Sequence, residues 1–356
     1  MQKKLIALAV AGLVSTGAFA QSSAVTVYGV ADLSFDVVKT SGGVANSQTG
    51  SYSRVSSNSS YLGFKGTEDL GNGLKALFQF ETAVSADTGA TFGANRDTYA
   101  GLGGAFGDIK LGTLTTPTRA LGAAVDVNAG WASIGASSAL TNGSVVINGF
   151  DTRQANTAMF TSSNFSGFSG ALAYISGENK STAAASGTAA QANSSAWDLG
   201  LNYNNGPILA GFTYANARSR DVVDTQIKNT RIAGAFDFGV GTVRALWNST
   251  KNENNVGGNL KQNVWGLGGT FNAAPNGKVI AQYYKANNIN GTSNTGAKLF
   301  ELGYEHSLSK RTVLKAIYAR IDNDNAAAFN FGSNGVNNVA AGNDPSGLQI
   351  GIRHAF

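Results

Sequence analysis

The chain closes on "SGLQIGIRHAF", Ser346 to Phe356. Taken in steps of two, Leu348, Ile350, Ile352, His354 and Phe356 share one face, and Gln349, Gly351, Arg353 and Ala355 share the other. That period belongs to a strand whose two faces meet different solvents. In a water-soluble sandwich the apolar face would meet a second sheet; in a membrane barrel it would meet lipid.

The same period recurs upstream. "AWDLGLNY" sets Trp197, Leu199, Leu201 and Tyr203 opposite Asp198, Gly200 and Asn202, and "ILAGFTY" gathers Ile208, Ala210, Phe212 and Tyr214. "RIAGAFDF" aligns Ile232, Gly234, Phe236 and Phe238 against Arg231 and Asp237, and "WGLGGTF" aligns Trp265, Leu267 and Phe271. The cleanest run is "KLFELGYEHSL", with Phe300, Leu302, Tyr304, His306 and Leu308 on one side and Glu301 and Glu305 on the other. Runs of about 8–11 residues suit tilted strands crossing a bilayer.

Connections alternate between short and long. The short ones, at 68–73, 103–108, 164–168, 204–207, 237–241, 272–278 and 307–312, carry the Gly and Asn that tight hairpins need. Long polar ones include 38–51, 176–194, 249–259, 285–297 and 322–345. Seven short turns and eight long loops make sixteen strands. Loops this long are out of place in a compact soluble domain but suit the outer rim of a barrel.

Bulk composition agrees. Charged residues are 13% of the chain, about half the usual share. There is no cysteine, and no stretch after the N-terminus approaches the length of an apolar spanning helix. The N-terminus reads as a secretory leader over 1–20: Lys3 and Lys4, the apolar run Leu5 to Val14, then Ala18-Phe19-Ala20. Residues 21–356 would form the mature barrel, with aromatics such as Tyr203, Tyr214, Trp247, Phe271 and Phe356 in interfacial girdles. Hydrocarbon leaves a sheet no open edge, so Phe356 ends the strand that closes the barrel.

The stretches "VTVYGVADLSF", "YLGFKGTEDLGNGLKALFQFE", "NRDTYAGLGGAFGDIKLG", "SLSKRT", "YARIDNDN" and "GIRHAF" resemble a general bacterial porin of the trimeric type found in beta-proteobacteria. The resemblance spans nearly the whole mature chain, and "GFKGTEDLGNGLKA" is its specific piece. It implies an all-β, sixteen-stranded antiparallel transmembrane barrel with short periplasmic turns and long extracellular loops. The third loop, roughly 115–150, would fold into the pore and narrow it. That loop holds one acid, Asp126, and one base, Arg119. Asp126 would face wall guanidinium groups and set up a transverse field that sorts ions by sign.

The resemblance keeps the family's wall arginine as Arg96, whereas Tyr61 and Met159 stand where related porins usually carry basic residues, and the "LGRQ" often found before loop 3 reads "LGTL", with Thr113. Lys65, on the face of Tyr61, and Arg153, on the face of Met159, would compensate; Glu81 would also face the lumen. Such an eyelet should be weakly anion-selective or unselective. The resemblance further implies a homotrimer, contact with outer-membrane lipid and lipopolysaccharide, and engagement of barrel-assembly machinery by the C-terminal strand.

Competing classes find less support. The two histidines, His306 and His354, fall on the lipid-facing register, the wrong side for a lumenal hydrolase. "GLGGAFGD" misses the third glycine of a dinucleotide loop at Phe106 and has no following helix. "DNDN" (322–325) is conceivable as a Ca²⁺ loop but reads as solvated. No catalytic residue, cofactor, metal or nucleic-acid partner is expected. A substrate-specific channel and a surface adhesin using the long loops remain the alternatives.

Overall fold

A computed structural model of the chain describes residues 24–43, 50–90, 95–128, 131–144, 147–148, 150–177, 194–220, 224–254, 258–332 and 334–356. The leader read over 1–20 lies outside the described residues.

The alternating runs form strands β1 (Ala24–Gly42), β2 (in two segments, Tyr52–Ser57 and Tyr61–Gly71), β3 (Leu74–Ala83), β4 (Asn95–Gly104) and β5 (Gly107–Thr115). After loop 3 come β6 (Arg153–Ser162), β7 (Phe168–Ser176), β8 (Ser194–Asn205), β9 (Ile208–Arg220), β10 (Asp224–Asp237) and β11 (Gly241–Asn254). The wall ends with β12 (Gly258–Ala274), β13 (Gly277–Ala286), β14 (Ala297–Ser307), β15 (Thr312–Asn323) and β16 (Asn343–Ala355). Each strand pairs antiparallel with its sequence neighbours, and β1 pairs with β16 from Val30↔Ala355 to Gly42↔Asn343. The sheet is therefore a closed sixteen-stranded barrel.

Burial follows the predicted period. In β14, Phe300 and Leu302 are 47% and 48% exposed while Leu299 and Glu301 are 0% exposed. A band of such outward side chains, among them Phe35, Leu111, Leu172, Leu267 and Ile350, runs around the barrel. So broad an apolar surface has no place in water and matches a lipid-facing wall. At the closing seam Phe356 exchanges backbone hydrogen bonds with Gly29. Its ring lies across that glycine: a Cβ on Gly29 would come within 2.5 Å of the ring. The terminal aromatic thus covers the backbone where the last strand meets the first.

All seven short turns fall where the sequence puts them, between consecutive strands on one rim. The opposite rim differs from expectation twice. Residues 249–259 were expected as a long loop, yet β11 and β12 continue pairing up to Asn254↔Gly258. A ribbon wet on both faces has no apolar alternation to betray it. Residues 327–332 and 334–336 also turn inward. Phe329, Phe331 and Val336 are buried in one cluster with Ala139 and Leu140 of loop 3.

Loop 3 itself carries helices α1 (Pro117–Val125) and α2 (Ser138–Thr141). Thr116 caps α1, accepting from the Arg119 backbone N–H, and Pro117 fits the first turn, where an N–H would go unused.

Candidate functional site

Loop 3 leans on one side of the barrel interior, against inward positions of β8 to β15. Asp198 accepts from the backbone N–H and the hydroxyl of Thr118 at 3.0 and 2.9 Å. Arg231 donates to both Asp151 carboxylate oxygens at 2.5 and 2.8 Å and to the Thr118 carbonyl at 2.8 Å. Arg244 reaches the Asp126 carbonyl, Gln282 the Gly135 carbonyl, and Lys315 the Ala132 carbonyl. Glu301 accepts from Asn128, Ser133 and Gln282. Arg231, Asp198 and Glu301 are all 0% exposed. Breaking one partner of such a buried pair strands the other charge, so these contacts hold the loop in a single position.

Asp126 is a correction. Expected to face the pore, it is 2% exposed. Its carboxylate accepts from the N–H and hydroxyl of Ser137 and from the N–H and side-chain amide of Asn128. Burial pushes its pKa up, against those hydrogen bonds, which pull it down. It caps the end of α1 and ties the loop together. Asp151, the next acid, is spent on Arg231. Loop 3 therefore presents no open carboxylate among its described residues, and the expected transverse field lacks its acidic side.

Arg119 gives loop 3 the opposite sign. It donates to the Asp151 carbonyl at 2.5 Å, its guanidinium lies 4.8 Å from the Trp131 ring, and it has no carboxylate partner among the described residues. Burial and the neighbouring Arg153 and Arg96 lower its pKa to about 10, so it stays charged at neutral pH. A cavity of about 330 Å³ opens beside it, between loop 3 and the inward-turned Ala328, Asn330, Phe331 and Gly332.

The remaining candidates lie on the wall that loop 3 leaves uncovered. Arg96 donates to Glu81 at 3.1 Å and lies 4.2 Å over the Tyr61 ring. Glu81 also accepts from Tyr28 at 2.8 Å and from Gln79 at 3.1 Å. Lys65 is exposed, 4.8 Å over the Tyr28 ring. Tyr61 meets Tyr28 edge-on at 6.1 Å. Arg153 pairs with Asp97 at 3.0 Å. Met159 lies opposite Lys110 on β5, and Lys110 pairs with Asp108.

Two bulges shape this wall. Pairing shifts between Phe80 and Thr82, so Arg96 and Asp97 together oppose Glu81. It shifts again between Gly112 and Leu114, where Ala155 and Asn156 oppose Thr113. A bulge re-aims the side chains beside it, and this one breaks the two-residue count that linked Arg153 to Met159. Counting also missed Asp97, Tyr28 and Trp131. Asp97, adjacent to Arg96 in "NRDTYAGL", was the one with a signal to read.

The family model described as Gram-negative porin matches residues 7–326. The chain belongs to the Gram-negative porin family. This porin is 32% identical over 368 residues to outer membrane porin protein 32 of Delftia acidovorans, covering 100% of each chain. Its structure is similar to that of the anion-selective porin from Comamonas acidovorans, with a TM-score of 0.78 and 28% identity, covering 94% of this chain and 100% of the other. The fold also matches the trimer form of OmpT from Vibrio cholerae, with a TM-score of 0.68 and 13% identity over 94% and 100% of the two chains. The porin is an outer-membrane channel for passive diffusion and not an enzyme.

Proposed function

We propose that this porin passes small hydrophilic solutes with a weak preference for anions. The observation that carries the reading is Arg119: loop 3 offers a guanidinium where a carboxylate was expected. Glu81 neutralises Arg96 and Asp97 neutralises Arg153. Among the described residues Arg244 also lacks a carboxylate but is held on the Asp126 carbonyl beneath loop 3, which leaves Arg119 and Lys65 as the cations without a carboxylate partner beside the open wall. Two such charges in a water-filled opening bias ions by sign without excluding either. The similarity to the anion-selective porin from Comamonas acidovorans supports the same sign.

We further propose a homotrimer in contact with outer-membrane lipopolysaccharide, whose C-terminal strand, ending at Phe356, is the segment read by the barrel-assembly machinery. We propose likewise that residues 1–20 are a cleaved leader and residues 21–356 the barrel.

The test is the current through purified protein in a planar bilayer, with reversal potential under a salt gradient. Current steps in threes and a small anion-favouring potential are expected. A cation-favouring potential would overturn the selectivity, and single steps the trimer. Absence of conductance would favour the adhesin.

A further inference from the structure

The outer wall carries a row of lysines that the channel does not use. On β10, β11 and β12, Lys228 lies directly opposite Lys251, and Lys251 directly opposite Lys261. All three share the outward face of their strands with lipid-facing residues: Lys228 with Ile232, Lys251 with Trp247, and Lys261 with Trp265. Like charges directly opposite each other on a sheet are destabilising. One acid offsets part of this, as Glu253 takes Lys228 at 2.8 Å and Lys251 at 2.7 Å. Lys261 makes no ion pair among the described residues, so the row keeps a positive excess that calls for a further anion.

Its height says where that anion comes from. Below the row runs an outward aromatic belt: Trp197 packs on Tyr214 at 5.2 Å, Trp247 is paired with Trp265, and Trp265 packs on Tyr283 at 5.8 Å. Such belts mark the membrane–water interface. Lys251 and Lys261 each stand four residues from their tryptophan, toward the long-loop rim. On a strand tilted by about 40° that is a rise of about 10 Å, and lysine stems can reach back toward the interface. The ammonium groups thus stand at the headgroup layer of the outer leaflet, outside the pore.

We propose that Lys228, Lys251 and Lys261 form a binding site for the phosphate groups of an anionic outer-leaflet lipid. The proposal rests on the outer-membrane lipid contact stated above and gives it a location.

The test titrates a bisphosphorylated, acylated diglucosamine lipid into detergent-solubilised full-length porin and reads binding by native mass spectrometry. A lysine near an anionic membrane surface is worth about fivefold in affinity. Lys261→Gln, which disturbs no ion pair among the described residues, should therefore weaken binding about fivefold, and the triple Lys→Gln variant at least about tenfold. Single-channel conductance on the same preparations should not change, and it reports on the channel reading separately. Equal affinity of the triple variant and the parent would overturn the site. So would equal binding of the dephosphorylated lipid. Inorganic pyrophosphate binding as tightly as the lipid would make this a free-anion site and overturn the lipid assignment.

Discussion

The two halves of the inner wall carry similar residues put to different use. Under loop 3, Asp198, Arg231 and Glu301 are fully buried, and each holds loop backbone or side chains. On the uncovered half, Glu81, Arg96 and Arg153 remain partly exposed and pair along the wall itself. An inward charge therefore has one of two fates. Beneath the loop it becomes a structural anchor, where desolvation makes a lost partner costly. Beside the open pore it stays hydrated and acts on passing ions.

The sharpest way to break this contrast is to remove an anchor. Arg231→Ala leaves Asp151 buried without its counter-charge and should cost about 3–5 kcal/mol in the denaturant midpoint. It should also make single-channel current noisy as loop 3 loosens. Arg96→Ala on the open wall should leave the midpoint nearly unchanged. If the two variants unfold alike, the wall has no anchored half.

Next in size is a test of the outer face. Leu302→Arg puts a charge into lipid beside the buried Glu301 and should cost about 2–4 kcal/mol in a refolding assay. A parent-like stability would mean that β14 is out of register.

A smaller effect separates the aromatic support of Arg96 from its charge. Tyr61→Leu removes the ring beneath the guanidinium and should cost about 0.5–1 kcal/mol while conserving net charge, so reversal potential should barely move. Arg119→Gln does the reverse. It should bring the anion-to-cation permeability ratio about twofold closer to unity. Asp126→Asn, at the buried end of the same loop, should leave that ratio unchanged.

The smallest effect is a pH slope. The folded state raises the Asp126 pKa above the ordinary 3.8. It therefore holds more protons than the unfolded chain between 3.8 and the raised value, and Asp126 lowers stability as pH climbs through that window. Asp126→Asn should flatten this part of the stability profile, read as denaturant midpoint against pH. An unchanged profile would mean that the carboxyl does not titrate in the loop.

Much of the fold was legible because lipid imposes a period on the chain. Phe300, Leu302 and Tyr304 must point outward, so Glu301 must point inward, and tight hairpins need Gly or Asn at positions such as Asn72 and Gly206. Sixteen strands and the closing role of Phe356 follow from such local rules together with the ban on open sheet edges in hydrocarbon. The ribbon running to Asn254↔Gly258 was missed because neither of its faces meets the hydrocarbon core.

The constriction was legible only as a set of candidates. Sequence put Arg96, Lys65, Tyr61 and Glu81 on the lumenal register, but bulges at Phe80/Thr82 and Gly112/Leu114 re-aimed their neighbours. Asp126 looked like a pore acid until packing enclosed it, and Arg119 took the opening in its place. The period of a strand fixes which face a residue takes, since that depends only on the backbone. Whether an inward charge meets water or protein depends on where a distant loop comes to rest, and that is settled by contacts such as Arg231 to Asp151, 80 residues apart.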